Sequence, residues 1–401
     1  MSSSLLFVAA LIPLATSPGE PGANGVLHVP DHYETIGAAI DAASDGDVVL
    51  VQPGIYTETL DFQGKAITVT GTRPADRAVV RSTVVDAKGA GTTVSFLSGE
   101  PPEAELTGLT ITGGLADWGG GGLLCMNGSS PTVSYCLIKK NEVIGSWETY
   151  GGGIHCDASH PSFAHCVIKA NYATHGGGFF ARYSARPEFE YCDIVENNSL
   201  HGSGGFMGQQ SNASFRYCNV TDNTATEGGG GGLQIRDSHA TVEHCIIARN
   251  QAGLNGGGIW CYNSSPTIDY CTIVDNLAPW NGGAIYCEAI ANPVVTNSIL
   301  VGNGPEEIYI VSGEPAIEFC DVLGGWPGTG NIDANPEFMS DFKLPYILAH
   351  DSPCIDAANP ADEDGVDWAE LSPRYSRYNS VAADMGAYGG PGNVGWLKVL
   401  P

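Results

Sequence analysis

The sequence predicts an all-β repeat protein, a solenoid whose coils carry three short strands and recur about every 26 residues. Three observations carry that expectation. A cysteine recurs at Cys136, Cys166, Cys192, Cys218, Cys245 and Cys271, with Ser298 and Cys320 closing the series. At a fixed offset after the first seven members stands an asparagine: Asn141, Asn171, Asn197, Asn223, Asn250, Asn276 and Asn303. Glycines open each coil and lead to a second column of mostly small residues, Cys125, Cys156, Ala181, Gly208, Ile235, Cys261 and Cys287. The unit is most complete over 256–276 (GGGIWCYNSSPTIDYCTIVDN). Its strands are too short to bury a face alone, so stability has to come from stacking on copies.

Length alone would suggest two or three domains, but a solenoid lengthens without dividing, and one elongated domain is expected. The 54 glycines follow no Gly-X-Y period and belong to turns. Seventeen Lys and Arg against 44 acidic residues give a net charge of −27. That balance argues against a nucleic-acid partner, which needs a basic surface, and against anionic membranes or unassisted binding of a strongly acidic polymer.

Taken in order, Leu5 to Leu14 is an apolar run suited to a secretory signal over 1–23 and too short to span a bilayer. A secreted or cell-surface location is expected, with no membrane span. Residues 24–47 hold a short strand and a helical pattern over 32–43, in which Ile36, Ala39, Ile40 and Ala43 share a face. This is an N-terminal helix cap over the first coil, where an uncovered sheet edge would invite aggregation. The solenoid occupies 48–350. Its early coils are read as β-branched strands at Val48–Val51, Val79–Val85, Thr93–Phe96 and Leu106–Ile111, with Gly108 as an early member of the cysteine column. The regular repeats run over 119–322, and the acidic segment 351–401 is read as an irregular C-terminal cap.

Within each regular coil the second and third strands meet at a tight turn occupied by Tyr135, His165, Tyr191, Tyr217, His244, Tyr270, Asn297 or Phe319. Rings there can stack from coil to coil, and the asparagines fit a ladder of side-chain amides. The twelve cysteines are expected to be free. Stacked strands lie about 4.8 Å apart, whereas a disulfide wants Cβ atoms at roughly 3.5–4.5 Å with converging vectors. Connections between each asparagine and the next glycines vary most and carry Trp147, Glu148, Tyr150, His175, His201, Glu227 and Trp280, which marks a working face.

The organisation resembles right-handed parallel β-helices of the pectin-lyase-like superfamily. The opening, Thr35-Ile36, Ala39-Ile40, Asp45-Gly46-Asp47 and Gly54-Ile55-Tyr56, is similar to that of pectin methylesterases and related β-helix proteins. The Gly-Gly-Gly-Ile and Cys-x-Ile-x-x-Asn repeats resemble those of polymorphic outer membrane proteins. The ending, from Ser352 to Gly390, is similar to tails of large secreted bacterial β-helix proteins. The resemblance implies a single-stranded right-handed parallel β-helix with substrate lying along the strand after the variable loop. It implies fold more than activity. The acidic motifs of polygalacturonases and the Gly-Arg-Pro-Trp-like segment of pectin methylesterases are missing, and Arg182 to Pro187 matches the arginine motif of pectate lyases only in part.

On that strand the outward positions include His155, Asp157, Phe180, Arg182, Gln234, Arg236, Trp260, Tyr262, Tyr286 and Glu288. Rings stack on sugar faces and charges fix orientation, so Phe180, Trp260, Tyr262 and Tyr286, with Trp147 and Trp280 from the loops, are candidate carbohydrate-binding residues. The plainer alternative is a sheet whose large residues only shield its backbone. For a lyase, Arg182 or Arg236 would abstract a proton while Asp157 or Glu288 held Ca²⁺ against a uronate. For a hydrolase, Asp157 and Glu288 lie four repeats apart, too distant to pair. His155 beside Asp157 is either an acid–base couple or a solvated surface pair. Asp362, Asp364 and Asp367 resemble an acidic calcium loop, and calcium is the one cofactor expected. Three functions follow: a monomeric binder of extracellular polysaccharide or surface glycan, a polysaccharide lyase or glycoside hydrolase, and a structural or adhesive solenoid.

Overall fold

The computed structural model describes residues 25–145, 148–339, 344–364, 382–393 and 395–396. The expected signal segment, Trp147 and Asp367 lie outside them. The described chain is a parallel β-solenoid with very little helix. Three long sheets, of ten, twelve and eleven strands, run its length, one strand per coil. The glycine strands form the ten-stranded sheet, with Cys125, Cys156, Ala181, Gly208, Ile235, Cys261 and Cys287 in one inward file. The second strands form the twelve-stranded sheet and the third strands the eleven-stranded one. A further six-stranded ladder of two-residue strands, from Leu115–Ala116 to Gln251–Ala252, was not evident in the sequence. It begins directly after each asparagine, where backbone pairing resumes, as in Tyr172 N–H to the Asn141 carbonyl (3.0 Å).

Stacking converts each sequence column into a physical file. All twelve cysteines are free and buried. Phe163, Phe189 and Phe215 stack through the core at 5.2 and 4.8 Å between ring centroids. Each asparagine from Asn141 to Asn276 donates its Nδ2 to the Oδ1 of the next, and the same Oδ1 accepts that asparagine's backbone N–H. Those backbone groups would otherwise be orphaned at the bend. At the tight turn, Tyr135, His165, Tyr191, Tyr217, His244 and Tyr270 all have φ between 48° and 56°. The left-handed residue reverses the chain without a loop, and successive rings stack at 4.7, 4.9, 5.0, 5.3 and 5.2 Å.

Helix α1 (Ile36–Ala42) starts at Thr35, whose hydroxyl accepts the Ala38 N–H, while Glu58 accepts from Ile36 and Gly37. Ile36, Ala39 and Ile40 are buried against the first strands. Two readings of the early coils need correction. Val79 and Val80 lie in a short helix, α2 (Arg77–Ser82), before the strand Thr83–Asp86. Asp76 caps it by accepting from Ala78 and Val79, and both valines are buried on one side, so capping and packing override β propensity. Gly108 occupies the left-handed turn (φ 73°) opposite Tyr135, and Leu109 takes the place facing Cys136.

Beyond Val322, Trp326 packs on the end of the core, and Asn331 bonds the Cys320 N–H and the Ile317 carbonyl. Residues 344–364, 382–393 and 395–396 lie along the flank of the solenoid. They bury Leu344, Ile347, Leu348, Met385, Tyr388 and Trp396 against Tyr191, Tyr217, Ile246, Tyr270, Val274 and Ile299. Gly390, Gly392 and Gly395 lie directly on the rings of Tyr270, His244 and Tyr217, where any side chain would collide. The Tyr217 hydroxyl donates to the Gly392 carbonyl at 2.9 Å, and the Tyr270 hydroxyl to Asp362 Oδ2 at 2.8 Å.

Candidate functional site

The ten-stranded sheet presents two parallel files on its outer face. Register places His155, Phe180, Met207, Gln234, Trp260, Tyr286 and Tyr309 in one. Asp157, Arg182, Gln209, Arg236, Tyr262 and Glu288 form the other. The outward alternation drawn from the sequence therefore brings its candidates onto one face. The two halves of that face differ in chemistry.

In the N-terminal half the charges are satisfied among themselves. Asp157 Oδ1 lies 2.7 Å from His155 Nε2, and Arg182 closes a bidentate pair on the same carboxylate through Nε (2.7 Å) and Nη2 (2.9 Å). Rings cover this group. Arg182 Cζ sits 5.1 Å from the Trp118 ring, 4.9 Å from Tyr150 and 4.6 Å from Tyr183, and Trp118, Tyr150 and Phe180 close over His155. Gly119 lies against the imidazole, where no side chain would fit. His155 is fully buried, so the solvated surface pair is overturned: outward-pointing side chains here are covered by loop aromatics. Burial lowers the His155 pKa despite the neighbouring carboxylate, and the ring is neutral. Burial pushes the Asp157 carboxyl up, but bonds from His155 and Arg182 outweigh it and hold the pKa below its ordinary value. Burial opposes charge on Arg182 as well, yet the Asp157 pair raises its pKa further. In this structure the Arg182 guanidinium is engaged with Asp157, and the His155 imidazole lies beneath the rings.

The C-terminal half is open. Trp260, Tyr262 and Glu288 are part-exposed, Tyr309 is 40% exposed and Trp280, on the rim, 63%. Trp260 lies against Gly229, whose missing side chain lets the indole settle onto the loop. It meets Tyr286 edge-on at 5.6 Å, and Tyr286 stacks on Tyr309 at 5.9 Å with rings 4° from parallel. Arg236 Cζ stands 4.7 Å from the Tyr262 ring and contacts Asp237 at 3.6 Å. Buried Phe180 belongs to the cover of the N-terminal cluster and is unavailable to a ligand. Four strands separate Asp157 from Glu288, about 24 Å at the usual strand spacing, so these carboxylates do not act together.

Trp118, Tyr183 and Tyr309 were not singled out from the sequence. Tyr309 sits one coil beyond Tyr286, a place that strict counting of the column would have found. Trp118 lies in a variable connection, and Tyr183 follows its strand at a left-handed turn position that holds Ala158, Gln210, Asp237 and Asn263 in other coils, so no ring recurs there. Of the calcium candidates, Asp362 accepts from Tyr270 and Asn297, and Asp364 Oδ1 from the N–H groups of Gly390 and Asp384. These two carboxylates serve the flanking segment, and among the described residues no three His, Cys, Asp or Glu side chains gather as metal ligands. Among the same residues no helix is long and apolar enough to cross a membrane.

A family profile described as the right-handed beta helix region matches residues 61–220, 103–257 and 194–321. The crystal structure of pectate lyase Pel9A aligns over 91% of this chain and 96% of its own, at 13% identity and a TM-score of 0.56, which shows a shared fold. An alginate lyase from Paenibacillus sp. str. FPU-7 aligns over 73% of this chain and 98% of its own, at 13% identity and a TM-score of 0.32. A pectin methylesterase from Aspergillus niger covers 80% and 88%, at 13% identity and a TM-score of 0.25. No curated protein matches the chain.

Proposed function

The chain belongs to the right-handed β-helix family, and from that premise we propose that it binds a neutral extracellular polysaccharide along the C-terminal half of its glycine-strand face. The observation that carries this reading is the set of part-exposed rings Trp260, Tyr262 and Tyr309 on three neighbouring strands, with Trp280 at the rim and the buried Tyr286 ring, 7% exposed, joining Trp260 to Tyr309. Strands repeat about every 4.8 Å, so rings fixed in file offer a sugar chain several stacking contacts at little cost in side-chain entropy. Arg236 and Glu288 flank the file, where they can orient hydroxyl groups. Net charge of −27 favours a neutral glycan over a polyuronate. The neighbour of the same fold is by name a pectate lyase, which is in keeping with a polysaccharide partner. Such a partner implies a secreted or surface location, for which the apolar run Leu5 to Leu14 supplies a signal.

Affinity electrophoresis in gels containing neutral polysaccharides tests the proposal. Retardation by at least one of them is expected, with binding weakened about tenfold in Trp260→Ala, equivalent to about 1.4 kcal/mol. Full retention in that variant, or no retardation by any neutral polysaccharide, rejects it.

A further inference from the structure

Asn-Gly pairs begin at Asn24, Asn127, Asn255, Asn281 and Asn303. Such a pair can react with itself, because the glycine nitrogen can reach the asparagine side-chain carbon Cγ unless folding restrains it. At all but one of them the glycine N–H is already engaged. Gly25 donates to Asp47 Oδ1 at 2.7 Å, Gly256 to the Asn281 carbonyl at 3.0 Å, Gly282 to Glu306 Oε1 at 2.8 Å and Gly304 to the Asn276 carbonyl at 2.9 Å. Gly256 and Gly282 are also buried, and Asn303 is fixed in the amide ladder. Gly128 is the exception. It lies in the turn joining the strands Leu123–Cys125 and Thr132–Ser134, at the corner between the ten- and twelve-stranded sheets. Ser129 N–H closes the turn on the Met126 carbonyl at 3.1 Å, and Asn127 (φ 59°) and Gly128 (φ 80°) are both left-handed, as in a type I′ turn. The Gly128 N–H has no partner among the described residues. Both residues are exposed, and a Cβ at Gly128 would meet nothing within 4 Å, so solvent reaches the pair freely. One bond holds the amide, Asn127 Nδ2 to the Leu97 carbonyl at 2.8 Å. Asn263 (φ 45°) occupies the equivalent turn position, but Ser264 follows it and its side chain crowds the approach.

We propose that Asn127 is a site of spontaneous covalent modification, which converts it to aspartate and isoaspartate with water as the only co-reactant. The Gly128 nitrogen loses its proton to solvent base and attacks Asn127 Cγ. The N–Cγ bond forms as the Cγ–Nδ2 bond breaks, and the amide nitrogen takes a proton from water and leaves as ammonia. Water then opens the cyclic imide. Breaking its bond to Cγ restores the ordinary chain with an aspartate, and breaking its bond to the backbone carbonyl carbon routes the chain through the side chain as isoaspartate. No oxidant or reductant is involved. Either product puts a carboxylate where the amide donated to Leu97. Isoaspartate also lengthens the turn beside Ser129, whose hydroxyl donates to the buried Glu100 carboxylate at 2.6 Å. The site is independent of the polysaccharide face.

Ageing the intact protein in mildly alkaline buffer, followed by peptide mapping with mass spectrometry, tests this. Reaction at a bonded site must wait for local opening, so Asn127 is expected to deamidate about tenfold faster, or more, than Asn255, Asn281 and Asn303. In guanidinium chloride every glycine nitrogen is released. The same sites should then convert at similar rates, which assigns the difference to the fold. Isoaspartate is read separately, as methyl groups accepted from S-adenosylmethionine in the presence of an L-isoaspartyl methyltransferase. Aged Asn127→Gln should accept far fewer than the aged native chain, and its thermal melt verifies that it folds. Each of four results would overturn the assignment: faster conversion at another Asn-Gly pair of the folded protein, no preference for Asn127, a preference that persists unchanged in denaturant, or equal methyl acceptance by Asn127→Gln.

Discussion

Asp157 is the residue on which the N-terminal half of the sheet face depends. It joins a neutral imidazole and a guanidinium that are both largely removed from water, and its side chain is only 9% exposed. Removing one member of such a group leaves a charge without its partner, which costs more than the intact pair contributes. Asp157→Asn is therefore expected to destabilise the protein by about 3 kcal/mol, read from urea denaturation. Combining Asp157→Leu with Arg182→Met should recover most of that loss, because no uncompensated charge remains. Equal stability of Asp157→Asn and the native chain would contradict the buried pairing. The pH dependence has one sign for both groups. The depressed Asp157 pKa supplies stability above the usual carboxylate range, lost as pH falls through the folded value. The depressed His155 pKa means that acid protonates the unfolded chain first. Alternation along the strand made His155, Asp157 and Arg182 legible as neighbours on an outer face. It gave no access to their burial, because the covering rings of Trp118, Tyr150 and Tyr183 stand at positions whose residue type changes from coil to coil.

The asparagine ladder is an element whose end is as informative as its middle. Its last member, Asn303, finds no further asparagine and donates instead to Glu307, Nδ2 to Oε2 at 2.6 Å and backbone N–H to Oε1 at 3.2 Å. Burial pushes the Glu307 carboxyl up to about 7, with the bonds from Asn303 opposing it. A folded pKa above the ordinary value of about 4.3 means that the associated stability is complete below that value. It is lost as pH rises through about 7. Glu307→Gln cannot ionise, so its melting temperature should fall less between pH 5 and pH 8 than that of the native protein. Parallel melting curves across that range would assign the pH dependence elsewhere. The column itself was readable because the same amide must recur in every coil. Its terminator was not, since a glutamate four positions after Asn303 is ordinary unless one knows the ladder stops there. Helix α2 shows the same limit: Val79 and Val80 favour a strand in isolation, and the Asp76 cap and local burial decide for a helix.

At the scale of the whole molecule, cohesion comes from stacked coils and from the C-terminal segment that binds several of them together. Its glycines lie on the rings of Tyr217, His244 and Tyr270, and its apolar side chains reach Ile246, Val274 and Ile299. That segment could not be placed from the sequence, which lacks a repeat there, although the rings it covers were legible as a turn column. No covalent bond contributes to this cohesion. Translation from coil to coil keeps equivalent thiols in parallel files, so their vectors do not converge on a disulfide. The files pass through the core, where all twelve thiols are buried away from reagents and burial pushes the thiols of Cys125 and Cys320 up, Cys320 to about 12. Two outcomes follow from one cause. The native protein should react negligibly with a thiol-specific disulfide reagent, and the denatured protein should titrate all twelve thiols. A strong reductant should leave the melting temperature unchanged, since it has no crosslink to cut. A drop of several degrees on reduction, or a denatured titre well short of twelve, would mean that coils are tied by bonds which this packing does not permit.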